Sequence, residues 1–342
     1  MNQVTGLQVP HFQAHLTPEQ QFWLARFSGD TRYAYAVARV RGWERALLGP
    51  VHYTRLLETP DWQSLLHALQ AQLGYRELTG IREPTAVAEI VFRQFRQRMD
   101  ELMAMFVHRR LRQTLMGFQA FDRLKTQGEG AAKSASGGEP HFGALQEAEK
   151  EIQNWRRNGR PQAHIELLAE TLQFRFLIQG LRASGLPFLQ TLARLWADVL
   201  AIHLILRWQW WKGEGSPWEY LPAEGFLDRR QLSRLVENPA QATEQYLKYS
   251  PYAGMLRQGV AALRSHASLW GVEQAAHQLL SRLFSLTRYT AFGPEPLVAY
   301  WWFYRQQYFN LNLILHGRLA GLTPKSIKPR LRLPYEQARL ST

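Results

Sequence analysis

The stretch GPEPLVAYWWFYRQQYFNLNLILHGRLAGLTPKSIKPRLRLPY, residues 293–335, decides the fold class of this chain. Its first half is predicted to be a long apolar helix that begins at Pro296, since a proline there loses no hydrogen bond and already has a helical φ. The apolar stripe recurs at spacings of four and three: Leu297, Trp301, Tyr304, Tyr308, Leu311, Leu315 and Leu319. Gly321 suits the left-handed conformation that ends a helix, and Thr323-Pro324 predicts an immediate restart. The unit is a long helix, a glycine stop and a short basic helix.

The composition is that of a protein with a large core. The chain has 342 residues, of which 46% are hydrophobic, enough for one large domain or several small ones. It has no cysteine, which excludes disulfides, Cys-ligated metals and thiol catalysis. The N-terminus lacks the features of a secretory signal. We expect no membrane span, because the best candidate, residues 195–211, contains Asp198, His203 and Arg207 and is predicted to be a buried amphipathic helix.

Helix signals continue through the rest of the chain. Capping patterns at Thr17-Pro18, Asp30 and Thr59-Pro60 predict helix starts in the first quarter. Two further long helices are predicted over residues 84–125 and 145–180, the second with a break signal near 158–161. The small and polar residues 127–140 between them predict a flexible loop, so the two helices should form an antiparallel hairpin.

The same pattern, a long helix that ends at glycine and is followed by a new helix start, occurs a second time earlier in the chain. A helix over residues 187–211 is followed by glycines and then by Ser216-Pro217, which predicts a second helix with a capping box. A weaker internal similarity relates residues 56–78 to residues 235–256. Such internal similarity indicates duplicated helical modules around a shared axis. We therefore divide the chain into an N-terminal module (1–80), a middle hairpin (81–186), a second motif-bearing module (187–256) and a C-terminal module (257–342).

These motifs resemble one family, the V-type ATPase central-stalk subunit that is called C in prokaryotic complexes and d in eukaryotic ones. Near the C-terminus the resemblance rests on Glu295, Pro296, Leu297, Tyr300, Asn310, Leu311, Ile314, Leu315, Gly317, Gly321, Leu322 and Ile327. Earlier positions similar to the family are Tyr35, Arg39, Arg41, Tyr75, Asp198, Arg207, Pro251 and Tyr252. Ala201 departs from the family, which often has an Asn there, and the family pattern is not visible between residues 84 and 186. The resemblance covers about 30–78 and 190–335.

The resemblance implies an all-α fold of pseudo-symmetric helical modules that form a funnel or socket. It implies a non-catalytic rotor adaptor of a V/A-type ATPase or ATP synthase, which lies peripherally at the cytoplasmic face of the membrane. Its partners would be the central-stalk subunits and the membrane proteolipid ring, and it would transmit torque for coupled ion transport. Arg39, Arg41, Arg207 and Asn310 are then expected to orient the modules.

Catalytic, metal and cofactor sites are not expected. Residues 128–134 imitate a P-loop, but Ala132 stands where the motif requires glycine before the lysine, and no strand precedes it. His11 and His15 are spaced i, i+4 without the further ligands that zinc needs. The sequence also lacks GxSxG and HExxH motifs and a clustered carboxylate pair.

The formal net charge of +13 favours anionic partners. The basic C-terminal segment carries Lys325, Lys328, Arg330 and Arg332, which are either a solvated surface or a contact for an acidic protein or for anionic lipid headgroups. The alternative to the rotor adaptor is a basic helical protein that binds nucleic acid. Against it, no helix-turn-helix, RNP or zinc-finger pattern is visible, and the basic residues are spread along the chain.

Overall fold

The computed structural model describes residues 26–78, 81, 83–127, 141–211, 216–222 and 225–333. Over these residues the secondary structure is helical, without a strand, and the predicted all-α class is confirmed. The helices are α1 Ala34–Glu44, α2 Pro50–Glu58, α3 Trp62–Leu73, α4 Pro84–Ala104, α5 Arg109–Gln127, α6 His141–Arg157, α7 Gln162–Arg182, α8 Pro187–Trp210, α9 Arg229–Glu237, α10 Pro239–Gln245, α11 Ala253–Ser265, α12 Trp270–Ser285, α13 Glu295–Leu319 and α14 Pro324–Ile327. Short 3-10 turns cover Thr31–Tyr33, Arg76–Leu78, Pro217–Glu219, Leu286–Tyr289 and Lys328–Arg330.

Helix α13 begins and ends close to the predicted residues. The helix begins at Glu295, one residue before the predicted start, so Pro296 is its second residue. Gly321 has φ of 71°, and the Leu322 N–H donates to the Gly317 carbonyl at 2.8 Å, a bond that closes the helix end. The Thr323 side chain then accepts from the Ser326 N–H and starts α14, as predicted.

The apolar stripe predicted for α13 is buried at five of its seven positions, but burial of the helix is not confined to it. Most of the helix is buried on all sides, including Glu295, Gln306, Gln307 and Asn310, whereas the last stripe residue, Leu319, is 46% exposed. Helices α1, α4, α12 and α14 all pack on α13, so it has partners around its circumference. A helix at the centre of a core does not need a polar face, which is why its sequence periodicity misleads.

Helix α8 is a second central helix. It packs against α7, α9, α11 and α12, and α12 also contacts α13. By length and composition α8 could cross a membrane, which the sequence prediction denied, but 78% of its most apolar stretch is buried inside the protein. It is the only such helix within the described residues. Burial against four helices accounts for its apolar character, as predicted for a core helix.

Two hydrophobic cores share helices α4 and α13. The larger core combines α8 and the first half of α13 with residues from α1, α5, α7, α11 and α12. The smaller core combines α2, α3, the first half of α4, the second half of α13 and Ile327 of α14. The cores therefore do not follow the four predicted module boundaries. The module division, the internal symmetry and the funnel shape stay predictions.

The helix predicted over residues 84–125 is two helices, α4 and α5. His108 makes the break, because its Nδ1 accepts from the Leu111 N–H at 3.1 Å while its own N–H donates to the Tyr33 hydroxyl at 2.8 Å. The break predicted near 158–161 is present between α6 and α7, where Gly159 has φ of 64°. Helices α5, α6 and α7 each contact the other two, so they pack as a group of three helices in place of a simple hairpin. Residues 128–140 of the predicted loop lie outside the described residues.

Three other local predictions differ from the structure. The Gly49-Pro50 pair predicts the end of the helix that starts after Asp30, but α1 already ends at Glu44, and Pro50 begins α2, which the sequence analysis missed. Asp61, not Thr59, caps α3, because its carboxylate accepts from the Ser64 N–H at 2.8 Å, while the Thr59 hydroxyl donates to the Leu56 carbonyl. Ser216 starts one 3-10 turn and not an α-helix. The helix predicted at Thr17 lies outside the described residues.

Candidate partner-binding surfaces

Asp198 anchors the segment that follows α8. It lies in the middle of that helix and is 1% exposed. Its carboxylate accepts hydrogen bonds from the Phe226 N–H at 2.7 Å, the Leu227 N–H at 3.1 Å and the Tyr252 hydroxyl at 2.5 Å. One side chain therefore fixes two segments that are distant in sequence, and the two family-like positions Asp198 and Tyr252 are in direct contact.

Burial is the main cause of the pKa shifts of Asp198 and Tyr252. Loss of hydration raises the pKa of Asp198 to about 6, although the Tyr252 hydroxyl and the two N–H donors favour the charged form. Burial and the nearby Asp198 carboxylate raise the pKa of Tyr252 well above its ordinary value. Pro251 precedes Tyr252 in the turn before α11. The pair thus combines a structural anchor with a group that titrates near physiological pH.

Asn310 anchors the C-terminal segment to α13. It is 0% exposed; its side-chain N–H donates to the Arg332 carbonyl at 2.9 Å, and its side-chain oxygen accepts from the Arg332 N–H at 2.8 Å. The buried Tyr53 of α2 also hydrogen-bonds to Asn310, while desolvation raises the pKa of Tyr53. Asn310 satisfies both polar groups of one backbone residue, as a neighbouring strand would.

A cluster of four charged residues and one histidine joins α7, α8, α12 and the C-terminal segment. This charged cluster consists of Glu170, His203, Arg207, Glu273 and Arg332. Arg207 Nη1 lies 3.2 Å from Glu170 Oε2, while His203 Nε2 and Arg332 Nη2 each lie 3.8 Å from a Glu273 carboxylate oxygen. Their side chains keep between 12% and 35% of their surface exposed. Half-buried charges from separate helices can both hold those helices together and meet a charged partner.

Aromatic rings border the charged cluster. The Arg332 guanidinium lies 3.7 Å from the Phe309 ring centre, and the Arg207 guanidinium lies 4.5 Å from the Trp211 ring centre. His277 lies deeper on α12, where desolvation and then the charge of Arg332 lower its pKa to about 3. It is therefore a neutral core residue and adds no charge to this surface.

The two N-terminal arginines have different partners. Arg41 bonds Glu44 and also donates to the carbonyls of Thr287 and Thr290, at 2.5 and 3.1 Å, so it ties α1 to the turn before α13. Arg39 forms an exposed ion pair with Glu101 of α4 at 3.2 Å. The orienting role of both residues stays a prediction.

Glu295 provides a second tie in the same region. The carboxylate is fully buried, accepts from the Ser28 N–H at 2.7 Å and has a pKa raised by desolvation.

The remaining family-like positions are mostly packing residues. Leu297, Tyr300 and Leu311 are buried in the two cores, and the ring centres of Tyr300 and Trp43 are 5.4 Å apart. Tyr75 is half-buried and hydrogen-bonds to Tyr304, whereas Tyr35 is 72% exposed. At Gly317 an added Cβ would lie 2.8 Å from Ile327, so the glycine permits α14 to pack closely against α13.

The four predicted contact residues of the C-terminal segment divide into two groups. Lys325, Lys328 and Arg330 are exposed on α14 and the following 3-10 turn. Arg332 instead belongs to the charged cluster and stacks on Phe309. The exposed three therefore form a separate surface, which we call the basic C-terminal surface. Arg339 lies outside the described residues.

No group of three or more metal-ligating side chains exists within the described residues. His11 and His15, and the imitation P-loop at 128–134, lie outside them. Sequence reasoning missed Glu170, His203 and Glu273 as members of the charged cluster. Glu170 and Arg207 are 37 residues apart on different helices, and no local pattern signals that they meet.

Comparison with known proteins gives one family. The family model described as ATP synthase (C/AC39) subunit matches residues 124–330, more than half of the chain. The match includes 124–186, most of the middle segment in which the sequence analysis found no family pattern. It does not extend to 30–78, where Tyr35, Arg39, Arg41 and Tyr75 were compared with the family. Comparison with curated proteins finds no significant match.

Proposed function

Since the chain belongs to the ATP synthase (C/AC39) subunit family, a non-catalytic subunit of the V/A-type ATPase complex, we propose that it is the rotor adaptor of that complex. In this role it links the central stalk to the membrane proteolipid ring and transmits torque for coupled ion transport. It acts peripherally, at the cytoplasmic face of the membrane. The observation that carries the proposal is the family match over residues 124–330.

The interior of the protein suits torque transmission. A rotor part has to be stiff, and here α8 and α13 are both buried and share the neighbour α12. The segments that follow these helices are hydrogen-bonded to Asp198 and Asn310, which favours their moving together with the helices. Dense packing of this kind transmits strain with little deformation.

The charged cluster is the surface we assign to the central stalk. It carries both signs of charge on three helices and the C-terminal segment, and its members are bordered by aromatic rings. Such surfaces fix the orientation of a partner, because a rotated partner would bring like charges together.

The basic C-terminal surface is the region we assign to the membrane side. Lys325, Lys328 and Arg330 are exposed, and none of them forms an ion pair with another residue that the structure describes. Anionic headgroups attract such residues by about 1 kcal/mol per cation. Contact with the proteolipid ring and contact with these headgroups are compatible at the same surface.

The test is purification of the tagged chain from its native membranes in a mild detergent, followed by mass spectrometry. We expect proteolipid and central-stalk subunits to be recovered with it. The variant Lys325→Ala/Lys328→Ala should fold normally but lose ring subunits at a lower salt concentration, because surface charges attract less strongly as salt rises.

A matched variant controls for loss of charge. Arg257→Ala/Arg264→Ala removes two exposed cations from α11, outside the basic C-terminal surface, and should retain the ring as the unmodified chain does. Recovery of the chain as a monomer with nucleic acid alone would contradict the rotor adaptor and favour the nucleic-acid alternative.

A further inference from the structure

His108 joins three parts of the chain at the break between α4 and α5. Its backbone N–H donates to the hydroxyl of Tyr33, the residue before α1, at 2.8 Å. Its ring Nδ1 accepts from the Leu111 N–H at 3.1 Å, and its ring Nε2 lies 3.1 Å from the Ser184 carbonyl oxygen in the turn between α7 and α8. The residue is half-buried. The proposed function above uses none of these contacts.

The partners of the His108 ring determine its protonation state. A backbone N–H only donates, so Nδ1 is the unprotonated nitrogen that accepts from Leu111. A carbonyl oxygen only accepts, so Nε2 carries the hydrogen that is donated to Ser184. Only the neutral ring with its hydrogen on Nε2 makes both bonds at once. A charged ring has a hydrogen on each nitrogen and therefore loses the bond to Leu111.

The bond between His108 and Leu111 is the N-terminal cap of α5. The helix begins at Arg109, so His108 is its N-cap residue and Leu111 is its third residue. The side chains that usually make this bond are those of Asn, Asp, Ser and Thr, which keep their acceptor oxygen at physiological pH. Histidine is an uncommon choice for this position, because the ring loses its acceptor when it binds a proton.

Most of the charged side chains on the elements that meet at His108 are cationic. The Arg110 guanidinium donates to the Ala183 carbonyl at 3.2 Å, beside the contact of the ring with the same turn. The ionisable side chains of these elements are Asp30, Arg32 and Tyr33 before α1, Asp100 and Glu101 on α4, Arg109, Arg110 and Arg112 on α5, and Arg182 at the end of α7. Asp30 pairs with Arg32, and Glu101 pairs with Arg39. A protonated ring would therefore add one more cation at the positive end of α5.

We propose that His108 is an acid-sensitive cap, which holds the first turn of α5 while its ring is neutral and releases that turn when Nδ1 binds a proton. The bonds to Ser184 and Tyr33 use the Nε2 hydrogen and the backbone N–H, so they do not require the neutral ring. The change is therefore confined to the start of α5. It does not depend on the proposed function, because every contact involved lies within this chain.

The first experiment observes the His108 ring directly. The full chain is prepared with isotopically labelled histidine, and NMR identifies which ring nitrogen carries the hydrogen. The signal of His108 is the one that is missing in the variant His108→Asn. At about pH 8 we expect the neutral ring with its hydrogen on Nε2. A ring with its hydrogen on Nδ1, or a charged ring, at this pH overturns the proposal.

Hydrogen exchange then tests the release of α5 in the unmodified chain. Between about pH 8 and about pH 5, the protection of the Leu111 amide, corrected for the intrinsic exchange rate, should fall about fivefold, the usual strength of one N-cap bond. The matched reference is the Ser64 amide, the third residue of α3, which donates to the cap residue Asp61 at 2.8 Å. The bond from the Ser64 N–H holds the pKa of Asp61 below its ordinary value, so this protection should not change. Equal changes at both amides overturn the proposal.

A variant that cannot titrate completes the test. His108→Asn keeps an acceptor for the Leu111 N–H, so the urea midpoint of the unmodified chain should decline relative to that of this variant as pH falls from about 8 to about 5. Asp198 titrates in both proteins and cancels in the comparison. His266→Asn, at the exposed end of α11 where φ is 51° and Asn is tolerated, is the control and should follow the unmodified chain. A constant difference between the unmodified chain and His108→Asn overturns the proposal. If His108→Asn does not fold, the exchange measurement, which needs no variant, decides.

Discussion

Helices α8 and α13 do the same structural work with different polar residues. Each is long, largely buried and packed against several other helices, and each has a fully buried polar side chain that binds a segment distant in sequence. In α8 this residue is Asp198, which only accepts hydrogen bonds and meets three donors. In α13 it is Asn310, which donates and accepts and pairs with the backbone of Arg332.

The difference shows that a buried polar residue can hold a distant segment with a stability that depends on pH, as with Asp198, or one that does not, as with Asn310. A carboxylate binds donors more strongly than an amide does, but burial raises its pKa into the range where cells operate. An amide has no charge to lose. We therefore expect the two anchors to differ in strength and in their response to pH.

The largest effect is expected when the anchor in α8 is removed. Asp198→Ala leaves two N–H groups and the Tyr252 hydroxyl without their acceptor, which should lower the free energy of unfolding by about 3–5 kcal/mol. Urea denaturation measures this change. Asp100→Ala, at an exposed acid on α4, should change stability by less than about 0.5 kcal/mol. A loss below about 1 kcal/mol for Asp198→Ala would show that the three donors find other partners.

The stabilisation by Asp198 should depend on pH, which distinguishes it from the stabilisation by Asn310 in α13. The pKa of Asp198 is about 6 in the folded protein and lies near its ordinary value of 3.8 when unfolded. The folded state therefore binds more protons between these values, and this group contributes stability that is fully present below about pH 4 and is lost as pH rises through 6.

The measurement compares the unmodified chain with Asp198→Asn from pH 4.5 to 7.5. The stability advantage of the unmodified chain should shrink as pH rises, by at most about 3 kcal/mol. A constant difference between the two proteins across this range would contradict a raised pKa of Asp198.

The anchor in α13 should give a smaller effect without this pH dependence. Asn310→Ala removes two hydrogen bonds to Arg332 and the one to Tyr53, and we expect a loss of about 2 kcal/mol, because the half-buried segment at Arg332 can regain water. The loss should be the same at pH 5 and pH 8. A loss that changes with pH would mean that Asn310 acts through a titrating neighbour, such as the carboxylates near Arg332.

Much of the fold could be predicted from the sequence, and less of the candidate surfaces. The all-α class, the glycine stop at Gly321, the restart at Thr323 and the family were all confirmed. The stripe on α13 did not reveal that the helix is buried on its other faces as well, and the single long helix over 84–125 was wrong. In both cases a tertiary partner decided the outcome: α13 is surrounded by other helices, and the Tyr33 hydroxyl accepts the backbone N–H of His108 at the break.

The sequence by itself determined the helix end at Gly321 and the restart at Thr323, because such caps and glycine stops act within about four residues of each other. It also determined which helices are apolar enough to be buried. Only the tertiary structure decided which polar residues meet. Asp198 and Tyr252 are 54 residues apart, and Glu170 and Arg207 are 37 apart. Such pairs are set by how the helices pack, and packing depends on the shapes of all the side chains between them.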